Sequence, residues 1–195
     1  MIVLDVEATG LNPRADSIVS LGALDVANPE NRFYGECQIW DGAHVHEEAL
    51  AINGFTDQGV RDTAKKTEAE LITAFIAWAT TDISERTLAA QNVSFDLEFV
   101  QEACKRAGIE CPFGKRTIDT HTLVWLHMIE HGKEPPLHNN HSAISLDYAL
   151  SYCGLPSEPA PHNALTGALC HAEVISRIAY TKKLLPEFDA FPLPF

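Results

Sequence analysis

The sequence predicts a single α/β domain built on a mixed β-sheet, and three observations lead to this prediction. The chain has 195 residues, which suits one domain with a sizeable core. Hydrophobic residues make up 46% and charged residues 21%, a balance typical of globular proteins. Three strand-like segments come first, and strands then alternate with helices. We expect the domain to span residues 1–185, with residues 186–195 forming a C-terminal tail that packs on it rather than on a partner.

The strands are predicted from short apolar segments rich in β-branched residues. The first runs from Ile2 to Val6. Segments 17–26 and 32–40 follow, and the polar residues 28–31 between them predict the turn of an antiparallel hairpin. Residues 88–91 form a further short strand. We expect the third strand to run antiparallel to its neighbours.

Helices are predicted from periodic apolar residues and from capping signals. Thr67 and Glu70 have capping-box spacing at the start of a helix over residues 67–79. Gly108 is a C-cap signal that ends a helix over residues 94–107. The remaining predicted helices are residues 46–53, 119–131, 145–153 and 162–183.

The charge balance excludes one broad class of function. The chain has 27 acidic and 14 basic residues, for a formal net charge of −13. Proteins that coat nucleic acid rely on Lys and Arg to neutralise phosphates, so this class is disfavoured. An enzyme that meets phosphate through bound metal ions stays compatible with the charge.

The cysteine pattern and the first residues favour a cytoplasmic location. The five cysteines are an odd number without a CxxC pair, which predicts free thiols in a reducing compartment. The first residues lack the basic and apolar regions of a signal peptide. No segment approaches the roughly 18 apolar residues of a membrane span.

Two acidic residues at the end of the first strand are the first candidates for chemistry. Asp5 and Glu7 are two positions apart, so their side chains point to the same face of the strand. Two close carboxylates repel each other unless a cation lies between them. Oxygen ligands of this kind suit Mg²⁺ or Mn²⁺.

Three short segments, DVEATGL at residues 5–11, NVSFD at residues 92–96 and HNALTGAL at residues 162–169, follow one another along the chain. Together they resemble the motifs of the DEDDh, or DnaQ-like, 3′→5′ exonuclease family, which has an RNase H-like fold. Residues 5–11 (DVEATGL) are similar to its first motif. Residues 92–96 (NVSFD) are similar to the second, and residues 162–169 (HNALTGAL) to the third. The resemblance covers about residues 1–180 and implies a mixed sheet of about five strands with helices on both faces.

The resemblance implies a role for each matched acid and for one histidine. Asp5 would bridge two metal ions, and Glu7 would hold the ion that activates water. Asp96 would support the second metal, and His162 would be the general base. A histidine suits this role because its unperturbed pKa is about 6.5. The cofactor would be Mg²⁺ or Mn²⁺, with two ions offsetting the charge of the phosphodiester.

The resemblance also implies where the substrate binds. The main chain at Ala8, Thr9 and Gly10 would receive the terminal nucleotide. Leu11 would stack on its base, and Asn92 and Phe95 would line the same groove. The implied reaction releases nucleoside 5′-monophosphates from single-stranded DNA or RNA 3′ ends. The choice of nucleic acid stays open, as do a proofreading, repair or turnover role and a homodimer or a polymerase-type partner.

One position departs from the family pattern. The third motif has an acid five residues after its histidine, and this chain has Gly167 there. An active enzyme with a weakened metal site, a protein that binds ends without cutting, and an altered copy of an active enzyme are all compatible with this change. His171, one helical turn after Gly167, is a candidate replacement ligand.

Four histidines near one another in the sequence form a second candidate metal site. His127 and His131 are four apart on a predicted helix, and His138 and His141 lie in the loop that follows. This spacing could bind Zn²⁺. Solvated histidines at a polar helix end are the alternative, and we favour it.

Overall fold

The computed structural model describes all 195 residues and confirms the predicted α/β fold with a mixed sheet. The main sheet has six strands, where about five were expected. They are β1 (Ile2–Ala8), β2 (Ile18–Asp25), β3 (Asn28–Gln38), β4 (Lys66–Thr67), β5 (Leu88–Ala90) and β6 (Ile118–Asp119). Their order across the sheet is β4-β3-β2-β1-β5-β6. Strands β4 and β6 have two residues each, too few to produce a recognisable pattern in the sequence.

The strand directions differ in one respect from the expectation. Strand β2 is antiparallel to both β1 and β3, whereas β1, β5 and β6 are parallel. The third strand is antiparallel to β2 but parallel to β4, so the expectation for its second neighbour was wrong. The hairpin turn lies at Val26 and Ala27 rather than at residues 28–31. Asp25 Oδ1 accepts a hydrogen bond from the Ala27 N–H there, 3.0 Å away, which tightens the turn.

Helices cover both faces of the sheet, as predicted. They are α1 (Glu47–Asn53), α2 (Asp57–Val60), α3 (Glu68–Thr80), α4 (Val93–Ala107), α5 (Thr120–Glu130), α6 (Leu146–Tyr152) and α7 (Ala164–Tyr180). The capping box of Thr67 and Glu70 is present at the start of α3. None of these helices combines the length and the apolar composition that crossing a bilayer requires.

Alternation along β1 divides the core into two layers. Ile2, Leu4 and Val6 pack in one cluster with residues of α3 and α4. Val3 points the other way and packs in a cluster with residues of α5, α6 and α7. Asp5, at an odd position like Val3, therefore faces the layer that contains α7.

The segment predicted as the longest loop contains a small hairpin. Strands β7 (Leu137–His138) and β8 (His141–Ser142) pair in an antiparallel manner. Asn139 and Asn140 form the turn with φ angles of 48° and 63°. Asparagine tolerates this left-handed region, which two-residue hairpin turns require.

The C-terminal residues 188–192 contact α7 through the Arg177 side chain. The Arg177 side chain is fully buried and donates hydrogen bonds to the main-chain carbonyls of Phe188, Phe191 and Pro192. It also pairs with Glu173, with 2.7 Å between Nε and Oε1. The tail thus supplies the acceptors that a buried guanidinium needs.

Candidate active site

Strand β1 presents Asp5 and Glu7 on one face, next to α7. Both residues are partly buried and alternate with buried apolar neighbours. The pairing of β1 with β2 is regular up to Glu7 and shifts by one residue at Ala8. Both carboxylates therefore lie at the end of the regular part of the strand, where the chain turns into the loop that follows.

Asp96 reaches β1 from the first turn of α4. Its Oδ1 accepts a hydrogen bond from the Val6 N–H over 3.0 Å. Strand β5 pairs with β1 only as far as Val3, so this amide lies beyond the ladder and takes a side-chain acceptor instead. The hydrogen bond fixes the buried Asp96 carboxylate beside the main chain between Asp5 and Glu7.

Two glycines allow α7 to approach the sheet closely. Gly22 on β2 pairs with Asp5 in the register, and a Cβ there would overlap the main chain of Ala164. A Cβ on Gly167 would overlap the Asp5 carboxylate. Position 167, which lacks an acid, therefore faces the Asp5 carboxylate directly.

His171 also faces Asp5, one turn further along α7. Its side chain is 3% exposed, and Nε2 lies 3.3 Å from Asp5 Oδ1. The other ring nitrogen, Nδ1, is buried without a hydrogen-bond partner. His171, the candidate replacement for the acid absent at position 167, is thus a neighbour of Asp5.

His162 lies before α7 rather than within it, because the helix begins at Ala164 with Asn163 as its N-cap. The predicted helix start at His162 was two residues early. The main-chain N–H of His162 donates to the Ile52 carbonyl over 3.1 Å, which ties the loop to α1. Its side chain is 44% exposed, and Nδ1 lies 3.8 Å from Glu158 Oε2. The ring is thus held at the edge of the site with access to solvent.

Glu158 is a member of the site that the sequence analysis missed. Ligand atoms of Glu7, Glu158 and His162 lie within 4.8 Å of one another, and this is the one such group in the structure. Asp5, Glu7 and Asp96, the metal ligands expected from the sequence, do not form an equally tight group, because Asp5 turns toward His171 and Asp96 is bound to the main chain. Glu158 lies outside all three motifs, and only its spacing of four residues before His162 could have suggested it.

Crowded carboxylates shift the acid–base properties of the site. Burial, followed by the charges of Asp5 and Glu158, raises the pKa of Glu7 to about 8. Burial and the charge of Asp5 raise the pKa of Asp96 well above its usual range. Burial and Asp5 also raise the pKa of Glu158, and the two histidines oppose this rise. Mutual repulsion of this kind is relieved when a cation binds.

The loop after β1 forms one wall of an open cavity of about 470 Å³. Leu11 lines it with 84% of its surface exposed, and the exposed Ile52 of α1 lines it as well. Gly10 is a further lining residue, and a Cβ there would overlap Asp16 and His46. An exposed leucine beside an apolar opening offers a surface against which a planar ring can pack.

The main-chain groups of this loop differ in availability. The N–H of Thr9 donates to the Ser17 carbonyl, and its C=O accepts from the His46 N–H, both over 2.9 Å. The Ala8 carbonyl accepts from Asn53 Nδ2 over 3.2 Å. The N–H of Gly10 donates no hydrogen bond within the chain. Thr9 therefore fixes the shape of the loop, and Gly10 offers the free donor.

The second motif places Asn92 and Phe95 at the start of α4. Asn92 has a left-handed φ of 53°, and its N–H donates to Asp119 Oδ1 over 3.3 Å. Phe95 is half-buried against Phe99, with 4.9 Å between the ring centroids. Asp119 also accepts a hydrogen bond from the Val93 N–H, so it organises the turn between β5 and α4.

The four histidines do not come together as a metal site. The rings of His127 and His131 stack with centroids 4.0 Å apart, and His127 Nδ1 lies 2.9 Å from the hydroxyl of Tyr152. His138 and His141 are exposed on the β7–β8 hairpin. No three of these side chains bring ligand atoms within 4.8 Å of one another.

Solved nuclease structures share the fold. The chain is similar to the nuclease domain of 3′hExo, a DEDDh family member bound to rAMP, with a TM-score of 0.71 and 16% identity over 94% of this chain and 93% of that one. It is also similar to E. coli exonuclease I in a complex with single-stranded DNA, with a TM-score of 0.72 and 18% identity, covering 92% of this chain and 40% of that one. These likenesses confirm the RNase H-like fold.

Sequence relatives point in the same direction. The chain is 29% identical over 136 residues to ribonuclease T of Vibrio vulnificus (strain CMCP6), which covers 63% of each chain. It is 31% identical over 134 residues to a DNA polymerase III of the PolC type from Staphylococcus epidermidis, covering 68% of this chain and 9% of that protein. The match thus spans about three fifths of ribonuclease T. The model of the RNase_T exonuclease family matches residues 2–175. The chain therefore belongs to this exonuclease family.

Proposed function

We propose that the protein is a divalent-metal-dependent 3′→5′ exonuclease that releases nucleoside 5′-monophosphates from single-stranded ends. One observation carries this proposal. The carboxylates of Glu7 and Glu158 lie beside His162, and Asp96 of α4 is held at the Val6 N–H between Asp5 and Glu7, in a chain that belongs to an exonuclease family. Carboxylates that converge from distant segments repel one another when no cation is bound. With divalent cations bound, the same carboxylates would form a site for metal-assisted hydrolysis.

The residues present fit a pair of Mg²⁺ or Mn²⁺ ions. Asp5, Glu7 and Asp96 offer the carboxylate oxygens that these ions prefer. Glu158 Oε1 is buried without a partner, and the pKa of Glu7 is raised to about 8, so the protein alone leaves the charges of the site unbalanced. When bound, such ions stabilise the entering and leaving oxygens of the phosphodiester.

His162 is suited to move the proton of the attacking water. Its Nδ1 faces the Glu158 carboxylate, while the ring remains 44% exposed at the edge of the site. Nε2 is then left to take a proton from water. The hydrogen bond from the His162 N–H to Ile52 holds the main chain in place during this transfer.

A single-stranded 3′ end fits the surroundings of this site. The Gly10 N–H is a free donor, and Leu11 offers an exposed apolar surface to a base. Asn92 and Phe95 would line the opposite side of the groove. With a net charge of −13, the protein is suited to short contacts with a strand end rather than to a long duplex.

The cysteines support a reducing compartment such as the cytoplasm. All five are free in the structure, and four of them are buried. Buried free thiols persist where disulfides do not form.

The test is an exonuclease assay on matched single strands of DNA and RNA. Each strand carries a 5′ label and is incubated with Mg²⁺ or Mn²⁺, with Asp5→Ala as the control. We expect stepwise shortening that stops with EDTA and in the control variant. The faster of the two substrates identifies the nucleic acid.

Gly167 favours a second candidate function. A family member that lacks one metal-binding acid could bind strand ends without cutting them. Binding of the labelled strands without shortening, in both metals, would establish this function in place of the first.

A further inference from the structure

Glu158 lies in the loop between α6 and α7, and its side chain is buried in the candidate active site. Only 5% of the side chain is exposed, and Oε1 has no hydrogen-bond partner. Burying a carboxylate oxygen without a hydrogen-bond donor costs free energy, because the oxygen loses its hydrogen bonds to water and no other donor replaces them. The position of Glu158 therefore indicates a ligand that the polypeptide does not supply.

The spacing of Glu158 and Glu7 suits a shared cation. Their ligand atoms and that of His162 lie within 4.8 Å of one another. Two oxygens on opposite sides of one Mg²⁺ are about 4.2 Å apart, twice the metal–oxygen distance of about 2.1 Å. Small side-chain movements would bring both carboxylates onto one ion.

The Glu158 carboxylate lies near Asp5 and Glu7, the acids that an acidic side chain at position 167 would have joined. Position 167 faces Asp5 and carries no side chain. The charges of Asp5 and Glu158 both act on Glu7, and the charge of Asp5 acts on Glu158. Glu158, in the loop before α7, thus brings a carboxylate to Asp5 and Glu7, whereas position 167 of α7 brings none.

We propose that Glu158 is a metal ligand of this site and supplies the carboxylate that position 167 lacks. This inference rests on the proposed function, since it takes the divalent cation of the nuclease reaction as the ligand. It assigns the role to a residue outside the three motifs. It also accounts for a family site that keeps Asp5, Glu7, Asp96 and His162 while losing one acid.

The test measures Mn²⁺ binding directly, through the electron paramagnetic resonance signal of the free ion. Glu158→Gln is compared with the unchanged protein and with Glu110→Gln, which alters an exposed glutamate outside the site. We expect Glu158→Gln to raise the Mn²⁺ dissociation constant tenfold or more and Glu110→Gln to change it less than twofold. The same pair is measured in a Gly167→Asp background, where the restored acid should reduce the effect of Glu158→Gln to about threefold or less.

Folding is followed in parallel through the unfolding temperature with and without Mn²⁺. Removing a crowded charge should raise the unfolding temperature without metal and reduce the increase that Mn²⁺ causes. An Mn²⁺ dissociation constant that changes less than twofold in Glu158→Gln, while Asp5→Asn abolishes binding, would overturn the role of Glu158 and leave the proposed function intact. Binding that survives both Glu158→Gln and Asp5→Asn would contradict the metal site itself.

Discussion

Glu7 carries the clearest pH dependence of the candidate site. Its pKa is raised from 4.5 to about 8, so between these values the folded state binds a proton that the unfolded state has lost. The stability of the metal-free protein should therefore fall as the pH rises through this window. Neutral Glu7→Gln removes this contribution and should unfold several degrees higher than the unchanged protein at pH 9, with little difference at pH 4. Each kcal/mol corresponds to about 2–4 °C for a chain of this size.

Differential scanning calorimetry in EDTA checks this expectation. With saturating Mg²⁺ at pH 9, the unchanged protein should unfold at a higher temperature than Glu7→Gln, because the ionised Glu7 then has a cation to bind. A difference in unfolding temperature between Glu7→Gln and the unchanged protein that stays constant from pH 4 to pH 9 would show that the pKa of Glu7 is not raised.

Gly167 allows a gain-of-function test at a single residue. Gly167→Asp restores the acid of the family motif, and we expect the exonuclease rate to rise about 100-fold or more. The Asp5 carboxylate must rotate away from α7 to make room, which a bound cation favours. Gly167→Ala is the matched control, since its Cβ makes the same steric demand without a charge.

Initial rates of shortening in Mg²⁺ measure the effect. The alanine variant should not exceed the unchanged protein. Equal rates for all three proteins would mean that position 167 is not where the fourth acid of the motif belongs.

At the scale of elements, Asp119 links the turn before α4 to the start of α5. Its carboxylate caps α5 by accepting from the His121 N–H, and it also accepts from the N–H groups of Asn92 and Val93. Asp119→Ala should lower the free energy of unfolding by about 1–3 kcal/mol, because a cap and the acceptors of a turn are lost together. Asp96, in the first turn of α4, should then bind metal more weakly.

Urea unfolding and Mn²⁺ titration test the two effects separately. Asp119→Asn retains an acceptor oxygen and should lie between the alanine variant and the unchanged protein. A loss below 0.5 kcal/mol in the alanine variant would show that the turn is held by other contacts.

Some elements were predictable because their signals are local. Thr67 and Glu70 specify a helix start through a capping box that the structure contains. The hairpin turn was misplaced because Pro29 suggested a turn, whereas the Asx interaction of Asp25 closes the chain earlier. Proline is tolerated near the start of a strand, where its missing N–H costs little.

The site was predictable to the extent that its motifs lie on regular elements. Asp5 and Glu7 share a face because a strand alternates, and that follows from the sequence alone. Glu158 could not be predicted from the sequence, because it lies in an irregular loop and no periodicity indicates where such a loop places a side chain. The position of His171 against Asp5 likewise depends on how α7 packs over β1.

At the scale of the whole molecule, the C-terminal tail joins the fold through main-chain carbonyls that bind the buried Arg177 side chain, which is also paired with Glu173. Arg177 donates to carbonyls of Phe188, Phe191 and Pro192, and Glu173 Oε2 accepts from the Leu185 N–H over 3.0 Å. We propose that residues 186–195 and 1–185 form one folding unit. In a chain that ends at residue 185, the free energy of unfolding should fall by about 3 kcal/mol or more, because the buried guanidinium loses most of its hydrogen-bond acceptors.

Chemical denaturation of the shortened chain measures this loss. The double variant Arg177→Met, Glu173→Gln in the shortened chain is the matched variant, and it should recover part of the stability because neither partner of the buried ion pair is then left charged and unpaired. A shortened chain as stable as the full one would establish the tail as a separate appendage.

The central claim is that acids from separate segments meet to bind divalent cations. Anomalous diffraction from a crystal soaked in Mn²⁺ tests it most directly, because the signal locates the ion itself. We expect anomalous density in contact with Asp5 and Glu7, between β1 and the loop that carries Glu158. Crystals that bind Mn²⁺ elsewhere, or show no density beside these carboxylates at millimolar Mn²⁺, would contradict it.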